Sequence, residues 1–278
     1  MDLNMKKTIL LFLFSIISAA GFSQAQKITI DSEAVRKNYA KKVTVSPMDK
    51  SVSIKNNVIT ISPKKEEVIY TISGYYNGQI INKTKNTVLK FKNAYIENKN
   101  GQPAIYSEVK LELSAAQGTE NYIISSGEND SKIGAIHCKK DLTLGGSGSL
   151  YVSGDIYHAV KADEIKMKGS GNFYFQGTSK GSAINSRSFT VENEKTFNCY
   201  LLNSKNGIKA DNAIEISSGN FFFYNNKVAL KTDTSKNDSS SPHFITIKGG
   251  TIHSASNESL YSTEPNGYKL SGAKIVEE

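Results

Sequence analysis

Lys161, Lys209 and Lys231 stand at one point of a repeated motif, and the aromatic residues Tyr151, Tyr174, Tyr200, Phe222 and Tyr224 crowd another. A row of ammonium groups at regular pitch suits the carboxylates of an acidic polymer, because equal charges side by side repel and gain from a bound anion. Rings turned away from a core stack on the C–H faces of sugars, and contiguous apolar area outside a core marks an interaction surface. These eight side chains form the candidate carbohydrate-binding site. The competing structural reading is cross-strand aromatic pairing for the rings and solvated surface charge for the lysines.

Catalytic chemistry finds no comparable pattern. Glycoside hydrolysis needs two facing carboxylates, but Asp163 and Asp211 are separated by a whole repeat that holds Arg187. No Gly-x-Ser-x-Gly elbow opens a helix, since Gly146-Ser147-Gly148 lies in a turn between strands. His137, His158, His243 and His253 fall at different points of the repeat, without the spacing of a closed metal site. The expected function is therefore binding without turnover. A surface or adhesion protein presenting a protein-binding face and a divergent polysaccharide lyase are the alternatives.

The elements that must position these residues follow from the period. Ile136, Val160, Ile184, Ile208 and Leu230 recur in steps of 24, 24, 24 and 22. A fixed period of that size marks a solenoid whose units bury their apolar sides only by stacking. Within each unit the apolar residues alternate, the period of a strand. The first strand turns Ile136 and Cys138, Val160 and Ala162, Ile184 and Ser186 inward, and the second Leu142 and Leu144, Ile165 and Met167, Phe189 and Val191. The third turns in Leu150 and Val152, Phe173 and Phe175, Phe197 and Cys199, Phe221 and Phe223.

The fold class expected is all-β, a parallel β-helix with three short strands per coil of about 24 residues. Its third strand predicts an aromatic stack of Phe173, Phe197 and Phe221 inside. Outside, it predicts the rows Tyr151, Tyr174, Asn198, Phe222, His253 and Ser153, Gln176, Tyr200, Tyr224. Beside the lysines, Lys139, Asp163, Arg187 and Asp211 alternate in sign, which predicts a ladder of ion pairs along that row. Alanine at Tyr174 or Phe222 is accordingly expected to weaken glycan retention and leave stability nearly unchanged.

Three segments complete the organisation. Residues 1–25 read as a secretory signal peptide: Lys6-Lys7, an apolar run from Thr8 to Ala20 and small residues at Ser23-Gln24-Ala25. An apolar run of about 13 residues is too short to span a bilayer, so no membrane insertion is expected after cleavage. Residues 26–68 lack the period and read as an N-terminal β cap, with a short helix near 32–41. Residues 69–278 are the β-helix, interrupted by a Ser/Asn/Asp-rich loop at 234–242. Location is expected in the periplasm or at the cell surface. Cys138 and Cys199, on different strands and far apart in register, are expected to be buried free thiols. The net charge of +8 favours an acidic partner; the partner expected is polysaccharide rather than nucleic acid, and oligomeric state is left open.

The run Ala135-Ile136 followed by Asp141-Leu142-Thr143-Leu144-Gly145-Gly146-Ser147-Gly148-Ser149-Leu150-Tyr151-Val152, and then Asn206-Gly207-Ile208-Lys209-Ala210-Asp211, resembles exported bacterial carbohydrate-binding proteins. So does the entry Tyr70-Thr71-Ile72-Ser73-Gly74, followed by Gly78-Gln79-Ile80 and Pro103-Ala104-Ile105-Tyr106. The resemblance covers about residues 68–255 and implies a right-handed parallel β-helix, binding of cellulose and pectin-like acidic glycans, and bound calcium. Where that family places Asp before the Gly-Ile pair, this chain has His158, Ser182, Asn206 and Val228. The residues themselves therefore call for no metal or other cofactor.

Overall fold

The computed structural model describes residues 35–39, 42–129, 131–192, 196–233, 244–263 and 267–277. The signal peptide expected at 1–25, the first residues of the expected cap, the loop at 234–242 and His243 lie outside these residues. The fold is all-β: twenty-five strands form one large sheet, and the described helical structure is confined to a short segment ending in a 3-10 turn at Lys37–Tyr39. Two pairings are antiparallel, Thr44–Ser46 on Ile69–Asn77 and Val52–Lys55 on Val58–Ile61, and the other strand pairings are parallel. Asn56 and Asn57, both at positive φ, close the second of these as a tight hairpin whose turn matches the strand twist. Parallel pairing already begins at Val58–Ile61, which lies beside Gln79–Asn82.

Each repeat sets three strands in register on the repeat before it. Gly134–Cys138 pairs with His158–Lys161, Leu142–Gly146 with Glu164–Met167, and Ser149–Gly154 with Asn172–Gln176. The expected inward residues of the first two strands are buried, from Ile136 through Ile216, because alternation puts every second side chain on the apolar side. The turns between second and third strands stack as well. Gly146 and Gly169 hold φ near +100°, and a Cβ on Gly169 would meet the Gly146 carbonyl oxygen at 2.2 Å, so the stacked corner admits only glycine there.

The third strand departs from the expected register. Asn172 pairs with Asn198, a step of 26, and Asn198 with Asn220, a step of 22. Extra length between Val191 and Asn198 accounts for the slip, because Val191 is still one regular period from Met167. Cys199, not Phe197, therefore lies between Phe173 and Phe221 in the inward column. Phe197 sits one residue ahead of its strand and turns its ring edge-on to Phe173 at 6.0 Å and Phe221 at 5.5 Å. The aromatic corner exists, but as interlocked edges rather than a column of register mates. Burying each such ring contributes about 2–3 kcal/mol. Both thiols are free and buried, and burial pushes Cys138 up to about 11.

Candidate functional site

The slip also rearranges the outward rows. Tyr151, Tyr174, Tyr200, Phe222 and His253 are register mates, while Asn198 belongs with Asn172 and Asn220. Those three asparagines form an amide ladder at 3.0 and 3.1 Å. Tyr224 lies in the adjoining row, next to Leu202 rather than Tyr200.

The rings do not turn their faces outward. Tyr122, Tyr151, Tyr174, Tyr200, Phe222 and His253 stack on one another at 4.4–4.8 Å with planes within 12° of parallel. Strands about 4.8 Å apart place successive rings at nearly the spacing of stacked aromatics, so each face is covered by the next ring. Tyr151 is 4% exposed and Tyr174 9%. Burial raises the phenol pKa of Tyr122, Tyr151, Tyr174 and Tyr200. Open-face stacking of sugars on Tyr151 and Tyr174, as expected from alternation alone, is thus corrected: the column presents ring edges.

Three further members were not foreseen. Tyr75, Tyr95 and Tyr122 extend the column toward the N-terminus. Their spacings of 20, 27 and 29 residues to the next ring break the regular period, so periodicity alone does not find them. Over this part lies the short helical segment. Tyr39 meets Tyr95 and Tyr122 at 5.8 Å and its hydroxyl donates to the Glu120 carbonyl at 2.9 Å. Arg36 reaches over Tyr75 and pairs with the buried Glu97 at 3.7 Å.

The first-strand row is continuous from Tyr106 through His137, Lys161, Asn185, Lys209 and Lys231 to Tyr261. The lysines are not simply solvated. Lys161 Nζ donates to the Lys132 carbonyl at 2.6 Å, and burial, with Lys132 second, lowers its pKa. Lys209 Nζ lies 3.3 Å from Asp211, Lys231 Nζ lies 3.3 Å from Asp233, and Lys231 sits 4.6 Å over the Tyr261 ring. The expected alternating ladder is therefore corrected in part. Arg187 binds Asp163 at 2.8 Å and Glu164 at 2.6 Å, but Lys139 turns to Glu108, and Asp211 serves the lysine of its own repeat. Contact two residues along a corner competes on equal terms with contact between repeats.

A cleft of about 270 Å³ borders this row, lined by Lys161, Asp163, Asn185, Arg187, Asp211 and Asn212. Of the eight residues expected in the site, the structure gathers Lys161, Lys209 and Lys231 on one face and Tyr151, Tyr174, Tyr200 and Phe222 on another, with Tyr224 beside the latter.

The column at the start of the first strand does not suit a hard cation. Asn206 Nδ2 donates to Ser182 Oγ at 3.1 Å, and the Ser182 N–H donates to His158 Nδ1 at 2.9 Å. Burial lowers the His158 pKa to about 3, so its ring is neutral, and Val228, next after Asn206, brings no side-chain oxygen before the column reaches Glu258. His158, Ser182, Asn206 and Val228 supply none of the carboxylates that dominate calcium sites. Among the described residues no group of three His, Cys, Asp or Glu side chains could hold a metal.

Residues 55–173 match the model of the carbohydrate-binding domain-containing protein family, in agreement with the resemblance read from the sequence. Among solved structures, a polysaccharide lyase-like protein from C. thermocellum aligns with a TM-score of 0.51 at 19% identity, over 83% of this chain and 88% of that one. At that identity the likeness speaks for the fold alone. No curated protein matches the chain by sequence.

Proposed function

We propose, from a chain that carries a carbohydrate-binding match over 55–173, that this is an exported polysaccharide-binding protein without catalytic activity. In this reading residues 1–25 direct export and 26–68 cap one end. Residues 69–278 wind as a right-handed parallel β-helix, and the protein resides in the periplasm or at the cell surface. The glycan is acidic and pectin-like, with cellulosic chains the second class.

The observation that carries the reading is the first-strand row. Lys161, Asn185, Lys209 and Lys231 follow one another at one residue per repeat, and Lys161 and Asn185 line a cleft together with Arg187. The aspartates that pair with Lys209 and Lys231 are partly exposed, and pairs of that kind are worth about 0–1 kcal/mol, so an incoming carboxylate displaces them at little cost. Both carboxylates of the cleft are paired, Asp163 with Arg187 and Asp211 with Lys209. Neither is arranged as an unpaired acid or base, which favours binding over cleavage. The stacked rings Tyr151, Tyr174, Tyr200 and Phe222, with Tyr224 in the adjoining row, hold the third-strand face together and stay out of the glycan contact in this reading.

The test is co-sedimentation with cross-linked pectate and with cellulose at low and high salt, with and without chelator. Retention on pectate that falls with salt and survives the chelator is expected. No retention on any glycan overturns the reading and leaves the protein-binding alternative. Unsaturated, ultraviolet-absorbing product from polygalacturonate would make the protein a lyase instead.

A further inference from the structure

Inward of the ends of both rows, the last repeats change the chemistry of the core. The inward column that holds Val152, Phe175, Leu201 and Phe223 continues with Ser254 and then Glu277. A hydroxyl and a carboxylate replace apolar side chains where the sheet ends. A cavity of about 440 Å³ opens there, lined by Ser254, Ser256, Asn257, Glu258, Leu260 and Glu277 among others. Ser254 is 2% exposed, and its Oγ has no hydrogen-bond partner among the described residues. The same holds for Ser256 Oγ. Buried polar atoms left without partners are costly, and two in the lining of one cavity point to a molecule that engages them.

The lining selects that molecule. Among the described residues it holds two carboxylates and no Lys, Arg or His, so an acidic sugar is repelled and a cationic one favoured. Hydroxyls and an amide ask for a ligand rich in donors and acceptors, and Leu260 offers one apolar surface for a ring. The volume is that of a small-molecule site and far exceeds a bare ion. We propose that this basin binds a hexosamine with a free amino group, its ammonium facing Glu258 and Glu277 and its hydroxyls meeting Ser254, Ser256 and Asn257. The site is independent of the lysine row and opposite to it in charge.

Calorimetric titration of the protein with glucosamine, glucose and galacturonate tests this. Glucosamine is expected to bind with a Kd on the order of 1 mM, glucose about tenfold more weakly, and galacturonate not measurably. Glu277→Gln should weaken glucosamine about tenfold and Ser254→Ala severalfold, because charge-assisted bonds outweigh neutral ones. Neither variant should change retention on pectate or the melting temperature, which separates this site from the lysine row. Absence of glucosamine binding overturns the proposal, as does wild-type binding in both Glu277→Gln and Glu258→Gln. Stabilisation by calcium with none by glucosamine also overturns it, by assigning the basin to a cation.

Discussion

On the first-strand face Lys161, Lys209 and Lys231 find partners sideways, in the Lys132 carbonyl, Asp211 and Asp233. On the third-strand face Tyr151, Tyr174, Tyr200 and Phe222 find each other. Both rows carry one residue per repeat at the same pitch. Identical rings in such a row attract and seal the row against ligands. Like charges such as Lys209 and Lys231 repel, the lysines recruit a carbonyl and weak carboxylates nearby, and the face is left for a stronger anion to occupy. The same periodicity thus yields a structural seam on one side and a candidate binding surface on the other.

The sharpest way to break that contrast is Tyr174→Ala, which removes a ring stacked on both faces. We expect a loss of about 3 kcal/mol in urea unfolding, as for other buried aromatic truncations, with glycan retention by the remaining fold unchanged. Near-neutral stability with lost retention would return the seam to the role of a sugar platform.

The next largest effect concerns the buried base of the first-strand face. His158 is neutral, with its folded pKa lowered to about 3 by burial and then by Lys161. The unfolded chain takes up its proton below about pH 6.5 while the folded chain does not. The contribution is therefore complete above 6.5 and lost as pH falls toward 3, by about 1.4 kcal/mol per pH unit once well below 6.5. His158→Asn should flatten urea-unfolding stability across pH 6.5 to 4 by that slope. An unchanged slope would show that the imidazole is not held neutral.

The combined Lys161→Gln, Lys209→Gln and Lys231→Gln variant sharpens the comparison from the other side. Retention on pectate at low salt should fall about tenfold, and its salt dependence should flatten. Stability should move by less than about 1 kcal/mol, since these are exposed or half-exposed pairs. Retention equal to the parent would remove the lysine row from the site. The smallest effect is expected for Arg187→Lys, which loses the fork spanning Asp163 and Glu164 and should cost about 0.5 kcal/mol.

Much of the fold was legible because alternation and period act together. Ile136, Val160, Ile184 and Ile208 could be placed inward, and in mutual register, from spacing alone. The site was less legible. The step of 26 followed by 22 around Asn198 leaves the total length of two repeats nearly unchanged, so counting from the first strand misassigns Asn198 and Tyr200. Tyr75, Tyr95 and Tyr122 lie where the repeat length varies, and the outward role of such residues depends on pairing that spacing does not reveal.

By itself the sequence determined an all-β, mostly parallel repeat, its inward residues and the existence of two outward rows, because hydrophobic alternation depends only on neighbours along the chain. Tertiary structure decided how those rows are used. Ring faces close on the rings of adjacent repeats, lysines turn to carbonyls and carboxylates two residues or one repeat away, and the last repeats end on Ser254 and Glu277. Such contacts are set by distances between strands and across corners, which no spacing along one chain specifies.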